Sequence, residues 1–284
     1  MDGAAVAPAA GTVLNALATG RGSAFAIDLE TTATVTLTDD GTVSGTITGQ
    51  PEADTGLLEA CARVTLERYG PDDGTGVAVT TESTIPMSSG LKSSSAAANA
   101  AVLATLDALG VEDIELLDAC RLGVTAAREA GVTVTGAFDD ASASMLGGVT
   151  VTDNTTDELL ARDTLEGEAL VYTPPTAAQS ADADVGACER IAPVAGVVEE
   201  LVLEGRYGEA MTVNGFAYCG ALGFSTDPML EALPEVAGVS LSGTGPSYVA
   251  LGDRQTLEVV RERWEQRDGT THLVATRSDG ARLA

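Results

Sequence analysis

The stretch IPMSSGLKSSSAA, which spans Ile85–Ala97, decides the fold, and it passes directly into an apolar, alanine-rich run that continues to Leu109. A strand-like segment at Gly76–Thr81 precedes it, so the stretch connects a strand to a helix. The first backbone amides of a helix have no partner within the helix and lie at the positive end of its dipole. The stretch is therefore typical of a loop that binds phosphate groups.

The residue types in this loop suit an anion. Gly90 permits a close backbone approach, and the serines at 93–95 offer hydroxyls to cap the helix, bond phosphate or ligate Mg²⁺. The spacing excludes a P-loop, because Leu91 separates the glycine from Lys92 and Ile85 stands where the first glycine is required. A serine-capped helix with small residues for tight packing remains the alternative.

On both sides of this stretch, the spacing of apolar and turn-forming residues predicts a mixed α+β chain. The first fifty residues are predicted to be β, with strands over Ala24–Thr38 and Thr42–Thr48, and a helix begins at Asp54 or Thr55 and ends at Gly70. Further helices are predicted over Ile114–Ala130, Ala141–Leu146, Glu189–Glu204, Tyr207–Leu222 and Arg254–Gln266, and strands over Gly148–Thr152, Ala169–Thr173, Val239–Leu241, Tyr248–Leu251 and His272–Thr276. The polar segment 153–163 suggests a boundary between two domains, 1–152 and 153–284.

The charge of the chain is extreme. It has 42 acidic and 15 basic residues, a net charge of −27. The electrostatic field of so negative a protein repels nucleic acids and anionic membranes, so we expect neither as a partner. The acidic residues are spread along the chain, which favours a solvated coat suited to very high salt and a halophilic source over a surface for a cationic partner.

The remaining composition excludes several chemistries. The four cysteines are far apart with no CxxC pair, and the chain has one histidine, so zinc sites and Ser-His-Asp catalysis are not expected. No apolar run is long enough to span a bilayer and no secretion signal is recognised, so a cytoplasmic protein is expected. Apolar residues make up 44% and aromatic residues 4%, which predicts a core of Ala, Val and Leu.

Three segments resemble the signatures of the GHMP kinases (galactose, homoserine, mevalonate and phosphomevalonate kinases). PMSSGLKSSSA, from Pro86, resembles the second signature, P-x-x-x-G-L-x-S-S-A-A; APAAGTVLNALATG, from Ala7, resembles the first; and LSGTGPS, from Leu241, resembles the third. The first segment together with TGAFDDA, from Thr135, most resembles the archaeal shikimate kinase branch. Thr12 replaces the lysine of the first signature, and the third lacks its full glycine run.

This resemblance implies a fold and a reaction. The fold is a two-lobed α+β GHMP kinase fold, with an N-terminal ATP-binding lobe like ribosomal protein S5 domain 2 and a ferredoxin-like C-terminal lobe. The reaction is transfer of phosphate from ATP, with Mg²⁺, to the 3-hydroxyl of shikimate, a step toward aromatic amino acids. A homoserine or mevalonate acceptor, or a non-catalytic ligand-binding regulator, remains possible. The oligomeric state, monomer or homodimer, is left open.

The resemblance also assigns roles to residues. ATP binding falls on Pro86, Met87, Ser88, Ser89, Gly90, Leu91, Lys92, Ser93, Ser94, Ser95 and Ala96. Ser94 and Glu129 are the implied Mg²⁺ ligands, and Asp139 is the residue that orients the acceptor hydroxyl or takes its proton. Arg21, Gly243, Thr244 and Gly245 are the implied acceptor contacts. Arg21 and Lys92 are the candidate cations for the acceptor carboxylate. The alternatives are a solvated helix charge for Glu129, a capping role for Asp139 and an exposed turn position for Arg21.

Overall fold

The computed structural model describes residues 2–71, 74–86, 90–133, 135–175 and 183–284, and these residues form two β-sheets with helices packed against them. The first sheet contains β1 (Asp2–Leu14), β2 (Arg21–Thr38), β3 (Val43–Ile47), β4 (Gly76–Ser83), β5 (Val149–Asp153), β6 (Glu158–Asp163) and β11 (Arg282–Leu283). Its helices are α1 (Gly56–Tyr69), α2 (Ser93–Ala108), α3 (Leu116–Glu129) and α4 (Phe138–Leu146).

The second sheet has four antiparallel strands in the order β10-β7-β9-β8. The strands are β7 (Glu168–Thr173), β8 (Gly238–Leu241), β9 (Tyr248–Gly252) and β10 (Thr270–Ala275), and the helices are α5 (Val185–Glu189), α6 (Ala192–Leu203), α7 (Tyr207–Leu222), α8 (Asp227–Ala232) and α9 (Arg254–Trp264). Helices α5–α8 connect β7 to β8, and α9 connects β9 to β10. This strand order is ferredoxin-like, so the predicted two-lobed α+β fold is confirmed.

Strand β2 organises the first sheet. Its 18 residues pair with β1 along most of their length, while Arg21–Phe25 also pair with β5 and Thr31–Thr38 with β4. This pairing brings segments that are more than a hundred residues apart in sequence to one end of the sheet. The functional site is built at that end.

The expected domain boundary at residues 152 and 153 falls inside β5. Strand β6 also pairs with β5, and β11 at the end of the chain pairs with β1. The change of sheet therefore lies between Asp163 and Glu168. The polar segment 153–163, which suggested a boundary, contains the last residue of β5, the turn that follows it and the exposed edge strand β6. The division into two domains stays a proposal.

Helix α2 is the centre of the first lobe. It is apolar on nearly all sides, and such a helix is stable only when it is buried. The small alanines of α2 and Gly3 of β1 let the helix and the strand approach closely. A Cβ added to Gly3 would lie 2.2 Å from the Ala104 carbonyl oxygen. The surrounding core consists mainly of Ala, Val and Leu, as the composition predicts. The second core is built around Trp264, Tyr172 and Tyr248.

The cysteines and the apolar segments fill structural roles. All four cysteines are buried and free. Within the described ranges, no group of three or more His, Cys, Asp or Glu residues is arranged to hold a metal ion. None of the helices in the described part of the chain has the length and apolar character needed to cross a bilayer.

Candidate active site

A cavity of about 480 Å³ lies where the two lobes meet. Its walls come from the start of α2, the segment from α3 to α4, the end of β1 and the turn that connects β8 to β9. The polar and glycine residues that line it are Asn15, Asp54, Gly90, Lys92, Ser93, Ser94, Ser95, Gly123, Gly131, Thr133, Thr135, Gly136, Asp139, Asp140, Gly243, Thr244 and Gly245. The cavity is therefore largely polar where the three signature-like segments meet.

The start of α2 forms one wall of the cavity. Ser93, Ser94 and Ser95 line it, and the side chain of the N-cap residue makes no capping hydrogen bond. Lys92, at the N-cap, has a left-handed backbone with φ of 64°. The amides of the first turn and the positive end of the helix dipole thus lie at the cavity, in the arrangement that binds phosphate oxygens.

Buried hydrogen bonds join the three signature-like segments. The Asn15 side chain donates from Nδ2 to the Gly243 carbonyl oxygen at 2.7 Å, and the Gly243 amide donates to Thr12 Oγ1 at 2.8 Å. The Ser242 hydroxyl donates to the Gly90 carbonyl oxygen at 2.9 Å. The wall formed by the loop at Gly90 and the start of α2 is consequently held in place by residues from both lobes.

Helix α7 fixes the end of β1 from the second lobe. The Tyr218 hydroxyl donates to the Asn15 carbonyl oxygen at 2.7 Å, and Asn214 Oδ1 accepts from the Asn15 amide at 3.0 Å. Both side chains are buried. These bonds set the position of Asn15, and through it the position of Gly243.

Asp139 is 4% exposed, and its carboxylate is held at the first turn of α4. Asn154 donates from Nδ2 to Asp139 Oδ1 at 2.7 Å and accepts at Oδ1 from the Asp139 amide at 3.1 Å. The Thr152 hydroxyl donates to Asn154 Oδ1 at 2.8 Å and orients the amide. A Cβ added to Gly22, on β2, would lie 2.5 Å from Asp139 Oδ2, so only glycine leaves room for this carboxylate.

This environment makes Asp139 a stronger base than an exposed aspartate. Burial raises its pKa to about 7, and the nearby Asp140 carboxylate contributes to the rise. The Lys92 ammonium and the hydrogen bond from Asn154 act in the opposite direction. A carboxyl group with a pKa near neutrality is suited to accept a proton at physiological pH.

Lys92 and Asp140 form an ion pair across the cavity. Lys92 Nζ lies 2.9 Å from Asp140 Oδ1, and the two side chains are 7% and 16% exposed. Because Asp140 follows Asp139 on α4, the pair connects the start of α2 to the element that carries the buried Asp139 carboxylate. Lys92 is the one cation among the described residues that line the cavity.

The structure brings most of the predicted site residues together. Gly90, Lys92, the serines at 93–95, Asp139 and the turn 243–245 all line the cavity. Leu91 and Ala96 are fully buried beneath the loop and support it from the core. Pro86 is half-buried and is not among the lining residues. The predicted contacts Met87, Ser88 and Ser89 lie outside the described residues.

Two predicted residues lie apart from this cluster. Glu129, at the end of α3, is half-exposed and forms a 3.0 Å ion pair with Arg63 of α1. Arg21 lies 3.2 Å from Asp153 and 3.7 Å from Glu199. Neither Glu129 nor Arg21 is among the residues that line the cavity. Their assignments as metal ligand and acceptor contact stay predictions that this geometry does not favour.

Several site residues escaped prediction. Asn15 lies within the first signature-like segment, so a signal was present although no role was assigned to it. Asn154 gave no signal, because it lies in the polar segment interpreted as a boundary. Gly22 also gave no signal in the sequence, and Asp54 was predicted only as a possible start of a helix.

Comparison with known proteins identifies the class. The family model "GHMP kinases N terminal domain" matches residues 56–148. The homoserine kinase structure from Cytophaga hutchinsonii superposes with a TM-score of 0.78 at 17% identity, covering 100% of this chain and 97% of that one. The Methanococcus jannaschii mevalonate kinase gives 0.76 at 16% identity, covering 96% and 98%. These likenesses establish the fold.

Curated relatives show to which family, and to which branch of it, the chain belongs. A shikimate kinase from Halobacterium salinarum is 61% identical over 99% of both chains, and one from Methanococcoides burtonii is 50% identical over 97% of this chain and 96% of its own. The chain therefore belongs to the GHMP kinase family, in its archaeal shikimate kinase branch. It is a phosphotransferase of a family that uses ATP as the phosphate donor.

Proposed function

We propose that the chain transfers the γ-phosphoryl group of ATP to the 3-hydroxyl of shikimate. The observation that carries this proposal is the 61% identity over 99% of both chains to a shikimate kinase, in a protein whose cavity is lined by both the start of α2 and a buried carboxylate. Shikimate carries a carboxylate and three hydroxyls. A polar cavity of this size suits a small acceptor beside the phosphates.

The triphosphate lies against the start of α2 in this proposal. The amides of the first turn and the hydroxyls of Ser93, Ser94 and Ser95 bind its oxygens, and Gly90 allows the phosphates to come close to the backbone. This local arrangement offsets the repulsion that a net charge of −27 exerts on an anionic nucleotide.

Asp139 acts on the acceptor. Its carboxylate accepts the proton of the acceptor hydroxyl as the oxygen forms a bond to the γ-phosphorus. The bond from the γ-phosphorus to the β–γ bridging oxygen breaks, and its electron pair leaves on ADP. The proton on Asp139 then passes to solvent. Asn154 keeps the carboxylate oriented during this step, and Gly22 leaves room for it.

Mg²⁺ fits the donor set as a partner of the nucleotide. Mg²⁺ is commonly bound by one or two protein oxygens together with phosphate oxygens and water, and the Ser94 hydroxyl on the cavity wall is such an oxygen. When bound, the ion neutralises charge on the β- and γ-phosphates. Glu129 would first have to leave Arg63 to take part.

Steady-state kinetics with a panel of acceptors tests the proposal. At molar KCl with Mg-ATP, we expect kcat/KM to be highest for shikimate and the product to be shikimate 3-phosphate by ³¹P NMR. Homoserine and mevalonate serve as comparison acceptors. Equal or better turnover of either one would overturn the choice of acceptor, and nucleotide binding without any turnover would favour the regulator.

A further inference from the structure

Lys92 combines three unusual properties. It is the only lysine in the chain, its side chain is 7% exposed, and its backbone φ is 64°. A left-handed backbone costs a residue with a Cβ about 1–2 kcal/mol relative to the right-handed region, and such residues concentrate at functional sites. The fold therefore tolerates an unfavourable backbone in order to direct this ammonium into the cavity.

The ammonium lies at the junction of the site. It extends from the N-cap of α2, where the phosphates bind, to Asp140, which is adjacent to the proton acceptor Asp139. The third signature-like segment leaves space for it, because a Cβ added to Gly243 would lie 2.7 Å from Lys92 Nζ. In the proposed reaction, the phosphoryl group moves between these two places, the start of α2 and the acceptor at Asp139.

The charges around the cavity show why a cation is needed there. Asp54, Asp139 and Asp140 line the cavity with Lys92, so its wall carries more negative than positive charge before a nucleotide binds. An ammonium has three N–H donors, and the ion pair with Asp140 leaves capacity for an additional oxygen ligand.

We infer that Lys92 is a catalytic residue that binds the phosphoryl group during transfer, and that Asp140 holds its ammonium in position for that contact. This inference rests on the proposed kinase function and names the group that neutralises the moving charge. The transferred group carries its negative charge on three equatorial oxygens, and a positioned cation stabilises that charge most in the transition state. Lys92 therefore contributes mainly to kcat.

The variant Lys92→Met tests the role, because methionine keeps much of the side-chain length and removes the charge. We expect kcat for shikimate to fall about 100-fold or more. The Kd of Mg-ADP, which lacks the transferred group, should change by no more than about threefold. Arg206→Met is the matched control, since it removes one positive charge from an exposed ion pair with Glu204 and should leave kcat unchanged.

A double variant separates catalysis from structural support. Removing Lys92 alone leaves Asp140 unpaired and can destabilise the fold. Lys92→Met with Asp140→Asn removes both charges, so a purely structural ion pair predicts recovery of kcat, whereas we expect the loss of kcat to persist. Far-UV circular dichroism and thermal melting check that each variant is folded.

The other possible results distinguish failure of the inference about Lys92 from failure of the proposed kinase function. Recovery of kcat in the double variant, or wild-type kcat in Lys92→Met, overturns the inference and leaves the kinase function intact. A large rise in KM for shikimate at unchanged kcat would assign Lys92 to the acceptor carboxylate and also overturn it. A wild-type protein that does not phosphorylate shikimate would contradict the proposed function itself.

Discussion

At the scale of single residues, Asp139 is subject to two opposing requirements. Burial raises its pKa to about 7, which makes the carboxylate a useful base. The same burial makes the charged form costly to fold. Asn154 provides one hydrogen bond in compensation and the Lys92 ammonium provides an attractive charge. In the proposed mechanism, the placement of this residue therefore serves catalysis at some expense in stability.

Replacing Asp139 with Asn should lower activity and raise stability. We expect kcat to fall by about 10²–10⁴-fold, because the proton acceptor is lost, while the Kd of Mg-ADP is nearly unchanged. The folded-state pKa is raised, so the wild-type protein loses stability as pH rises from the ordinary aspartate pKa to about 7. The free energy of unfolding of Asp139→Asn should thus exceed that of wild type more at pH 8 than at pH 5.5. An unchanged kcat would show that the role is misassigned.

Removing the Asn154 side chain should shift the pH dependence. Its hydrogen bond stabilises the charged carboxylate, so Asn154→Ala should raise the pKa of Asp139 further. The acidic limb of the kcat profile, which we expect near pH 7 in the wild type, should move to higher pH. A lower kcat with an unmoved limb would mean that Asn154 only supports the fold.

The sequence predicted the residues within the loop and at the start of α4, because local spacing and a family signature mark them. It did not predict Gly22 or Asn154. These two meet Asp139 only because the start of β2 pairs with β5, and no local pattern encodes that long-range register.

At the scale of elements, α2 and the loop before it determine the site. Gly90 has φ of 80°, and a Cβ there would lie 2.4 Å from the Ser242 carbonyl oxygen. The loop of the first lobe thus contacts the turn of the second at a position where only glycine fits. The N-terminus of α2 is fixed relative to both lobes by this contact.

Gly90→Ala should therefore disrupt both folding and binding, and Gly49→Ala is its control. Gly49 has a similar φ of 77°, but no atom lies within 4 Å of an added Cβ. We expect Gly49→Ala to cost about 1–2 kcal/mol in unfolding free energy and to leave the Kd of Mg-ADP unchanged. Gly90→Ala should cost more and weaken Mg-ADP binding about tenfold or more, equivalent to ~1.4 kcal/mol. Equal effects of the two variants would contradict the contact.

Most elements were predictable because their own residues determine them. Helix α1 ends at Tyr69 with the predicted Gly70 as its C-cap, and α7 covers the predicted residues 207–222. Strands β6 and β11 were missed, since both are exposed edge strands whose residues lack an apolar alternation. Their pairing depends on the neighbouring strand more than on their own sequence.

At the scale of the whole molecule, the net charge of −27 sets the conditions for stability. The Debye length falls to about 3 Å at 1 M salt, so repulsion between exposed carboxylates is screened there. We expect the Tm to rise from 0.1 M to 3 M KCl, and NaCl to have a similar effect because screening is not specific to one cation. A Tm that falls steadily over this range would contradict the interpretation of a halophilic coat.

A crystal structure with Mg²⁺, a non-hydrolysable ATP analogue and shikimate tests the central claim most directly. We predict phosphate oxygens at the first-turn amides of α2, the γ-phosphate at Lys92 and the 3-hydroxyl of shikimate at Asp139. A nucleotide bound elsewhere, or an acceptor hydroxyl remote from Asp139, would contradict the account.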